Sequence, residues 1–343
     1  MELKKSKLSA LKKNKYLWFG ISLIILLGMV YISDVSKFVE ALRSANPYYL
    51  IPALGLGLSG FLIWGYVWHM FFRHMDFDLK YQRTMEMFMA GNFLNSITPL
   101  GQFGGEPFMA YIVSRNTDAS YDKSLSCVIS ADIINAIPFL TFLTAGAAYM
   151  FLFQSVKGLV AQAAYLAIIF ALIGGLIAYL LWFDEEILEK YLFVILNRIQ
   201  SRIGRGEKFI QRIKERISST KAAFYKAGDD PRMLLEAATL THATFLLQIA
   251  SLYFILLSLS ITPNFPAIYF TVMLSGVATF SPTPGGSGTF EAAFAGILML
   301  FYPLNFAIAL TAAVLFRLTT YWPGLIIGYL AFIKLNTPDR EQA

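Results

Sequence analysis

The sequence predicts an all-α membrane protein that crosses the bilayer several times. Of its 343 residues, 57% are hydrophobic and only 15% are charged, whereas about a quarter of the residues in an average soluble domain are charged. Six apolar runs approach or exceed the roughly 20 residues that a helix needs to cross a bilayer. They cover residues 17–32, 50–68, 137–153, 163–183, 243–259 and about 305–333. Residues 1–343 are therefore expected to form one transmembrane domain with almost no soluble part.

The first element is a span over residues 16–32, which follows a lysine-rich N-terminus. A basic start also precedes signal peptides, but a cleaved signal peptide ends in small residues. Here the run ends in Tyr31, Ile32, Ser33 and Asp34. The sequence favours a retained first helix over a cleaved one.

Lysine and arginine predict the orientation of the spans. The N-terminus and the one long polar segment, residues 184–232 with eleven Lys or Arg, are both strongly basic. Cytoplasmic loops of membrane proteins are enriched in these residues. We therefore expect both regions, and both chain termini, on the cytoplasmic side of the cell membrane.

This orientation requires residues 81–115 and 266–303 each to enter and leave the membrane on the same side. Both segments are interrupted in the middle by proline and glycine, and the apolar arm Phe108–Val113 is too short to span. We predict a re-entrant hairpin for each segment, with two full helices as the alternative. The count is six full spans plus two hairpins, or eight predicted helices.

The two interruptions share a sequence pattern. Residues 96–106 read SITPLGQFGGE and residues 281–291 read SPTPGGSGTFE, with five identities at a constant offset of 185. At that offset the spans of one unit also fall on those of the other, 47–72 on 232–257 and 124–152 on 309–337.

The unit 46–152, repeat A, is therefore expected to recur as 231–337, repeat B. Repeat A begins and ends outside, whereas repeat B begins and ends inside, so the repeats are predicted to be inverted. Inverted repeats with broken helices at matching positions are typical of transporters, whose binding sites form where the broken helices meet.

Two elements lie between the repeats. Residues 156–183 are predicted to form an extra span, and the polar segment 184–232 follows it. In this segment an apolar residue recurs every four positions with arginines in between, which indicates a basic amphipathic helix. The helix is interpreted as lying on the inner leaflet and attracting anionic headgroups, or as a solvated connector.

Four charged residues are expected at membrane depth, where a charge is costly and by default indicates function. They are Glu106, Asp132, Glu291 and Arg317. The repeat offset places Asp132 at the position of Arg317, so the two are expected to face each other across one cavity. Arg317 would bind a phosphate or another anionic headgroup, while the acids hold the arginine, bind a cationic group or exchange protons.

Two alternatives give these charged residues a purely structural role. Asp132 and Arg317 can form a buried ion pair that only fixes packing. Glu106 and Glu291 can cap the exposed amides of the half-helix that follows each break. Capping does not exclude a role in substrate binding.

The breaks themselves are candidate binding segments, because amides at the start of a helix attract anions. A lipid phosphate would suit such a site. The residues concerned are Gly104, Gly105, Thr283, Pro284, Gly285, Gly286 and Gly288. The three histidines are instead interpreted as packed or interfacial residues.

Several function classes find no support in the sequence. The chain has no phosphate-binding loop and no metal-ligand spacing, so we expect neither an enzyme nor a cofactor. Its single cysteine, Cys127, cannot form an internal disulfide. The net charge of +6 is assigned to the cytoplasmic faces of a membrane protein and not to nucleic-acid binding. The sequence is compatible with a homo-oligomer but does not predict one.

The late motif, residues 282–291, together with the early one, residues 101–106, resembles the lysylphosphatidylglycerol synthase transmembrane-region family, which is also described as flippase-like. The early motif departs from the family's pattern because Pro107 follows the glutamate. The resemblance covers essentially the whole chain and implies movement of a lipid between leaflets. Best-known members carry a fused synthase domain, which this sequence lacks, so the lipid is expected to differ and nothing is expected to be synthesised.

The expected function is thus a flippase for a phospholipid, an aminoacylated lipid or a lipid-linked headgroup. An ion-coupled transporter of small solutes and a membrane-embedded enzyme acting on lipid phosphates are the alternatives.

Overall fold

The structure, a computed structural model, describes residues 24, 27–31, 35–98, 105–153, 169, 172, 229–281 and 283–336. Most of the predicted spans 16–32 and 156–183, nearly all of the polar segment 184–232, and Gly104 lie outside these residues. The described part contains ten α-helices and two short 3-10 turns and no β-strand. The prediction of an all-α protein is confirmed.

The helices follow the predicted order. The first half contains α1 (Val35–Ser44), α2 (Pro47–His74), α3 (Tyr81–Ile97), α4 (Glu106–Arg115) and α5 (Tyr121–Phe153). The second half contains α6 (Pro231–Ser258), α7 (Phe265–Val277), α8 (Thr289–Phe301), α9 (Phe306–Thr320) and α10 (Trp322–Asn336). The starts of α2 to α5 correspond in order to those of α6 to α9, within two residues of the positions that the repeat offset predicts.

Four helical stretches are long and apolar enough to cross a membrane, namely Pro47–His74, Tyr121–Gly146, Pro231–Ser258 and Phe306–Leu335. These are the four full spans that the sequence places inside the repeats. The protein is therefore a membrane protein whose described part contains four candidate spans.

The last span differs from its prediction as one helix over 309–337. It consists of α9 and α10, which meet at Tyr321 with φ −124° and ψ −54°. Pro323 lies in the first turn of α10, where a proline is tolerated because its missing N–H would be unpaired there anyway. The sequence Tyr-Trp-Pro-Gly at 321–324 explains the break.

Side-chain caps fix where the helices start, and they recur with the repeat. Asn46 accepts a hydrogen bond from the amide of Tyr48 before α2 (3.0 Å), and Asp230 accepts one from the amide of Met233 before α6 (3.0 Å). Ser120 caps α5 and Asn305 caps α9 in the same manner. The caps of the second half lie at or next to the positions that the repeat offset predicts, which keeps the helices of the two halves in register.

The corresponding helices α2 and α6 pack against each other and run antiparallel. Near one end, the amide of Asn46 donates to the carbonyl of Ser258 (2.8 Å). Seven residues further along α2, the Ser251 hydroxyl donates to the carbonyl of Ala53 (3.1 Å). An antiparallel contact between corresponding helices is the arrangement that inverted repeats require.

Small residues allow the halves to approach closely. A Cβ atom added at Gly57 of α2 would overlap the carbonyl of Thr319 at the end of α9, and one at Gly328 of α10 would overlap the carbonyl of Met89 in α3. Close backbone contact at small residues is typical of helix packing in membranes.

The two broken segments each form a pair of short helices packed on each other, α3 with α4 and α7 with α8. These helices have 17, 10, 13 and 13 residues, which at 1.5 Å per residue is shorter than the roughly 30 Å hydrocarbon core. The breaks between them carry the candidate site.

Candidate functional site

The late break is built on glycines with positive φ angles. Two 3-10 turns, Ala278–Phe280 and Pro284–Gly286, separate α7 from α8. Gly285, Gly286 and Gly288 have φ angles of +55°, +68° and +88°, a region that other residues rarely adopt. A Cβ atom at Gly286 would also lie only 2.8 Å from the Cα atom of Thr279.

Three hydroxyl groups of this break form hydrogen bonds with one another and with a backbone carbonyl. The Ser281 hydroxyl lies 2.8 Å from that of Thr283 and 2.6 Å from that of Thr289. The Thr289 hydroxyl also donates to the carbonyl of Gly286 (2.9 Å). Thr283 and Pro284 are both buried. Part of the irregular backbone is therefore paired within the protein, which an apolar environment requires.

Glu291 has two contacts, one for each carboxylate oxygen. Oε2 accepts a hydrogen bond from the amide of Gly288 (2.6 Å), which caps the start of α8. Oε1 lies 3.2 Å from Nε of Arg317. Only 4% of Glu291 is exposed. The carboxylate is thus both the expected cap and half of a buried ion pair.

Arg317 is held by several groups of the late break and its surroundings. It is 3% exposed, and its Nη2 donates to the carbonyl of Gly285 (2.8 Å). The guanidinium carbon lies 4.3 Å from the ring centre of Phe290 and 4.2 Å from that of Tyr321. Such contact with aromatic faces stabilises a cation. Among the described residues, Nη1 has no hydrogen-bond partner.

Tyr321 links the late break to the early one. Its hydroxyl donates to the carbonyl of Ser96 at the end of α3 (3.4 Å). On the other side, a Cβ atom at Gly285 would overlap the same hydroxyl, and φ is +55°, so a side chain at this position would be strained. Helix α3 packs directly on the Pro284–Gly286 turn. The two breaks therefore meet inside the molecule.

The early break is described only at its edges. Gly105 precedes α4 as its N-cap, and a Cβ atom there would overlap Asn95. Glu106 lies in the first turn of α4, where a carboxylate interacts favourably with the helix dipole. It is half-buried and forms no ion pair with another described residue.

Asp132 lies on α5 and is half-buried. It interacts electrostatically with the carboxylate of Glu106 and with the indole N–H of Trp68. The alternative of an ion pair between Asp132 and Arg317 is not found within the described residues, where Arg317 is paired with Glu291. The ion pair of repeat B joins the residue that follows the break to one on the next helix, whereas the corresponding residues of repeat A, Glu106 and Asp132, are both acids.

Three aromatic residues of the site were not predicted from the sequence. Phe290 and Tyr321 enclose Arg317, and Trp68 of α2 faces Asp132. The position of Tyr321, four residues after Arg317, is a local signal, since such residues share one side of a helix. Trp68 is too distant in sequence from Asp132 for any local signal.

The described histidines outside the site include two that pair with threonines. His69 Nδ1 lies 3.1 Å from the Thr84 hydroxyl, and His242 Nε2 lies 2.7 Å from the Thr141 hydroxyl. No group of three or more His, Cys, Asp or Glu in the described part is arranged to hold a metal ion.

Comparison with known proteins gives one family. Residues 18–328 match the family described as Lysylphosphatidylglycerol synthase TM region. A UPF0104 membrane protein of Pyrococcus horikoshii is 24% identical over 334 residues, which cover 94% of this chain and 97% of the relative. One from Methanocaldococcus jannaschii is 26% identical over 326 residues, 92% of this chain and 93% of the relative.

Proposed function

The chain belongs to the lysylphosphatidylglycerol synthase transmembrane-region family, and from this premise we propose that it is a flippase. It moves a phospholipid, an aminoacylated lipid or a lipid-linked headgroup between the leaflets of the cytoplasmic membrane. Both chain termini lie on the cytoplasmic side in this proposal. It acts as a transporter and not as an enzyme.

The observation that carries the proposal is the meeting of the two breaks. The Tyr321 hydroxyl joins the late break to Ser96 of the early one, in a part of the molecule made otherwise of apolar helices. Irregular backbone at such a place is tolerated only where protein buries it or where it lines a polar cavity. Broken helices that meet between inverted repeats form the substrate site in many transporters.

Arg317 is the proposed contact for the phosphate of the headgroup. Its Nη2 and Nε face Gly285 and Glu291, whereas Nη1 keeps its donors for a ligand. Arginine recognises phosphate well because its planar group presents several donors at once. Glu291 holds the guanidinium in place until a phosphate takes part of its charge.

Apolar surface on the spanning helices is compatible with a lipid substrate. Large hydrophobic side chains are exposed along helices of both repeats, including Ile51 and Leu62 of α2, Leu246 of α6, and Ile326 and Leu330 of α10. Such surface suits contact with acyl chains. The headgroup would enter between the breaks while its acyl chains stay in the bilayer.

A reconstitution experiment tests this function. Liposomes containing the purified protein and a headgroup-labelled phospholipid are treated with a membrane-impermeant reductant, and the protected fraction is followed over time. Lipid movement beyond that of protein-free liposomes is expected. No movement across a broad panel of anionic, zwitterionic and aminoacylated lipids would overturn the flippase proposal.

Variants in the same assay test the site. Arg317→Ala and Glu291→Gln are expected to slow movement roughly tenfold or more, since a hydrogen bond to a charged group contributes about 1.5–3 kcal/mol. Glu86→Gln is the matched control, because Glu86 also belongs to an ion pair, with the exposed Lys334 (2.6 Å), but lies ten residues before Ser96 on α3. Equal rates in all three variants and the wild type would contradict the role of Arg317.

A further inference from the structure

Two polar atoms of repeat A lie buried without a polar partner near the meeting point of the breaks. Nε1 of Trp64, a donor, and Oδ1 of Asn95, an acceptor, have no hydrogen-bond partner among the described residues. Buried polar atoms in folded proteins are nearly always hydrogen-bonded, because an unpaired one lowers the stability of the fold. Within the described part, the protein therefore leaves the hydrogen bonding of these two groups incomplete.

Two glycines show where the asparagine side chains of α3 lie. A Cβ atom at Gly105, before α4, would overlap Oδ1 of Asn95, and one at Gly324 of α10 would lie 3.0 Å from Nδ2 of Asn92. The two asparagines are three residues apart and so share one side of the helix. Their amides thus contact the early break on one side and the start of α10 on the other.

Trp64 of α2 lies close to the same place. Its ring centre is 6.1 Å from that of Phe61. The Phe61 ring in turn contacts Gly324, since a Cβ atom there would lie only 2.5 Å from Cζ of the ring. Trp64, Asn92 and Asn95 are therefore grouped around the start of α10, and together they are called the neutral cluster.

The fold does not require polar residues at the positions of the neutral cluster. At the offset of 185, the corresponding residues of repeat B are all apolar. They are Ile249, Val277 and Phe280. The equivalent helices thus form and pack with hydrocarbon side chains at these positions. This difference indicates that the polar groups of repeat A have a role other than packing.

A single side chain separates the neutral cluster from the contact proposed for phosphate. The ring centre of Tyr321 lies 4.2 Å from the guanidinium carbon of Arg317. The Tyr321 hydroxyl donates to the carbonyl of Ser96, the residue next to Asn95. A headgroup whose phosphate contacts Arg317 can therefore place its substituent against the neutral cluster.

The chemistry of the neutral cluster fits a hydroxyl group. Its indole N–H requires an acceptor, and its amide oxygen requires a donor. A hydroxyl group supplies both, whereas an ammonium group only donates and an ionised phosphate oxygen only accepts. None of the three side chains carries a charge, so the cluster does not compensate a charged substituent in this apolar setting.

We propose that Trp64, Asn92 and Asn95 bind the hydroxyl groups of an uncharged headgroup, a polyol or a sugar, on the lipid whose phosphate contacts Arg317. This inference rests on the proposed function and names its substrate class. A water molecule also donates and accepts hydrogen bonds, so water is the alternative occupant that the experiment separates from a headgroup.

Lipid movement in liposomes tests the headgroup preference. Phospholipids that carry the fluorophore on an acyl chain keep their natural headgroups, and a membrane-impermeant reductant reports their movement. Phosphatidylglycerol and phosphatidylinositol are compared with phosphatidylcholine, phosphatidic acid and phosphatidylethanolamine; the last is included because the carboxylate of Glu106, directly after Gly105, would suit an amine. The two hydroxylated lipids are expected to move roughly three- to tenfold faster, which corresponds to one net hydrogen bond.

Asn95→Leu separates a binding role from a structural one. Leucine has a similar shape but no polar atom in its side chain, so the preference for hydroxylated headgroups is expected to fall below about twofold. The melting temperature in detergent is expected to stay equal or rise, because the change removes an unpaired buried oxygen. Asn92→Leu is expected to lose the preference as well, which keeps the test valid if Asn95→Leu fails to fold.

Thr271→Val is the matched control. Oγ1 of Thr271 is likewise buried without a hydrogen-bond partner in the described part of the chain. The residue is 0% exposed and lies inside α7, six residues before the end of that helix. Its loss is expected to leave the headgroup preference as in the wild type, again with an equal or higher melting temperature.

Binding is also measured without transport. The melting temperature of the wild type in detergent is recorded against inositol phosphate, glycerol phosphate, phosphoethanolamine and inorganic phosphate. The two hydroxylated compounds are expected to give the larger saturable rise. Asn95→Leu is expected to remove the difference between these two and inorganic phosphate.

Three results would contradict the headgroup assignment. One is movement of all lipids at equal rates, which leaves the flippase proposal standing and assigns water to the cluster. Another is a preference that persists unchanged in both asparagine variants. The third is a preference for phosphatidylethanolamine, which would assign an amine to the site.

Failure of the proposed function gives a different pattern. If no lipid moves but the hydroxylated compounds still raise the melting temperature most, the flippase proposal is wrong and the binding site stands. If no lipid moves and all four compounds act equally, both are wrong.

Discussion

Glu291 and Arg317 face each other across 3.2 Å in the interior, although they lie on different helices. The glutamate also caps α8 through Gly288, and the arginine also bonds to Gly285. One ion pair therefore fixes the shape of the late break and the contact of α9 with it. Substitutions at these contacts are expected to lower the stability of the protein, by an amount that depends on which contact is lost.

Glu291→Gln is expected to lower the free energy of unfolding by about 3–5 kcal/mol, because it leaves the charge of Arg317 buried without a partner. Thermal unfolding in detergent measures the loss. The double variant Glu291→Gln with Arg317→Met is expected to recover much of it, since no unpaired charge is then left buried. Glu86→Gln is expected to cost about 1 kcal/mol, because its two partners, Lys334 and Arg83, are largely exposed. Equal costs for Glu291→Gln and Glu86→Gln would contradict the structural importance of the buried pair.

Gly285→Ala is expected to destabilise the protein strongly. Its φ angle of +55° is unfavourable for alanine, and the added Cβ atom would overlap the Tyr321 hydroxyl. Gly296→Ala in α8 is the matched control, because nothing lies within 4 Å of its added Cβ atom. There alanine is expected to stabilise the helix by roughly 0.5–1 kcal/mol. Melting temperatures of the two variants should move in opposite directions.

Gly57→Ala probes the contact between α2 and the end of α9. The new methyl group would overlap the Thr319 carbonyl, and a backbone atom cannot give way as a flexible side chain can. A clear fall in melting temperature is expected. Gly60→Ala lies one turn away on the same helix and meets nothing within 4 Å. A similar loss in Gly60→Ala would mean that the helix, and not this contact, is sensitive to the change.

Tyr321→Phe separates the hydroxyl of this residue from its ring. The variant loses the bond to Ser96 but keeps the aromatic face over Arg317, so a loss of only about 0.5–1.5 kcal/mol is expected. Tyr321→Ala removes the ring as well and is expected to cost about 3–5 kcal/mol. Denaturation in detergent compares the two. An equal loss in both variants would show that the ring over Arg317 contributes nothing.

The helices could largely be predicted from the sequence. The repeat offset placed the breaks at matching positions, and the apolar runs located the four candidate spans. The division of the last span at Tyr321 was missed because hydropathy is continuous through it. The proline at 323 was the available signal, since proline usually marks the start of a new helix when it falls inside an apolar run.

The pairing of charges was harder to predict. Symmetry indicates which residues occupy equivalent positions, and on this basis Asp132 was matched with Arg317. It does not indicate which neighbour each side chain faces, because that depends on helix rotation and on rings such as those of Phe290 and Tyr321. The ion pair therefore forms within repeat B and not between the repeats.

The antiparallel contact of α2 with α6 also sets a condition on biosynthesis. Roughly 180 residues separate the end of α2 from the end of α6, and at about 5–20 residues per second their synthesis takes roughly 10–40 seconds. Throughout that interval the face of α2 around Ala53 lacks its partner Ser251 of α6. The contact of Gly57 with Thr319 forms later still, after α9 has been synthesised.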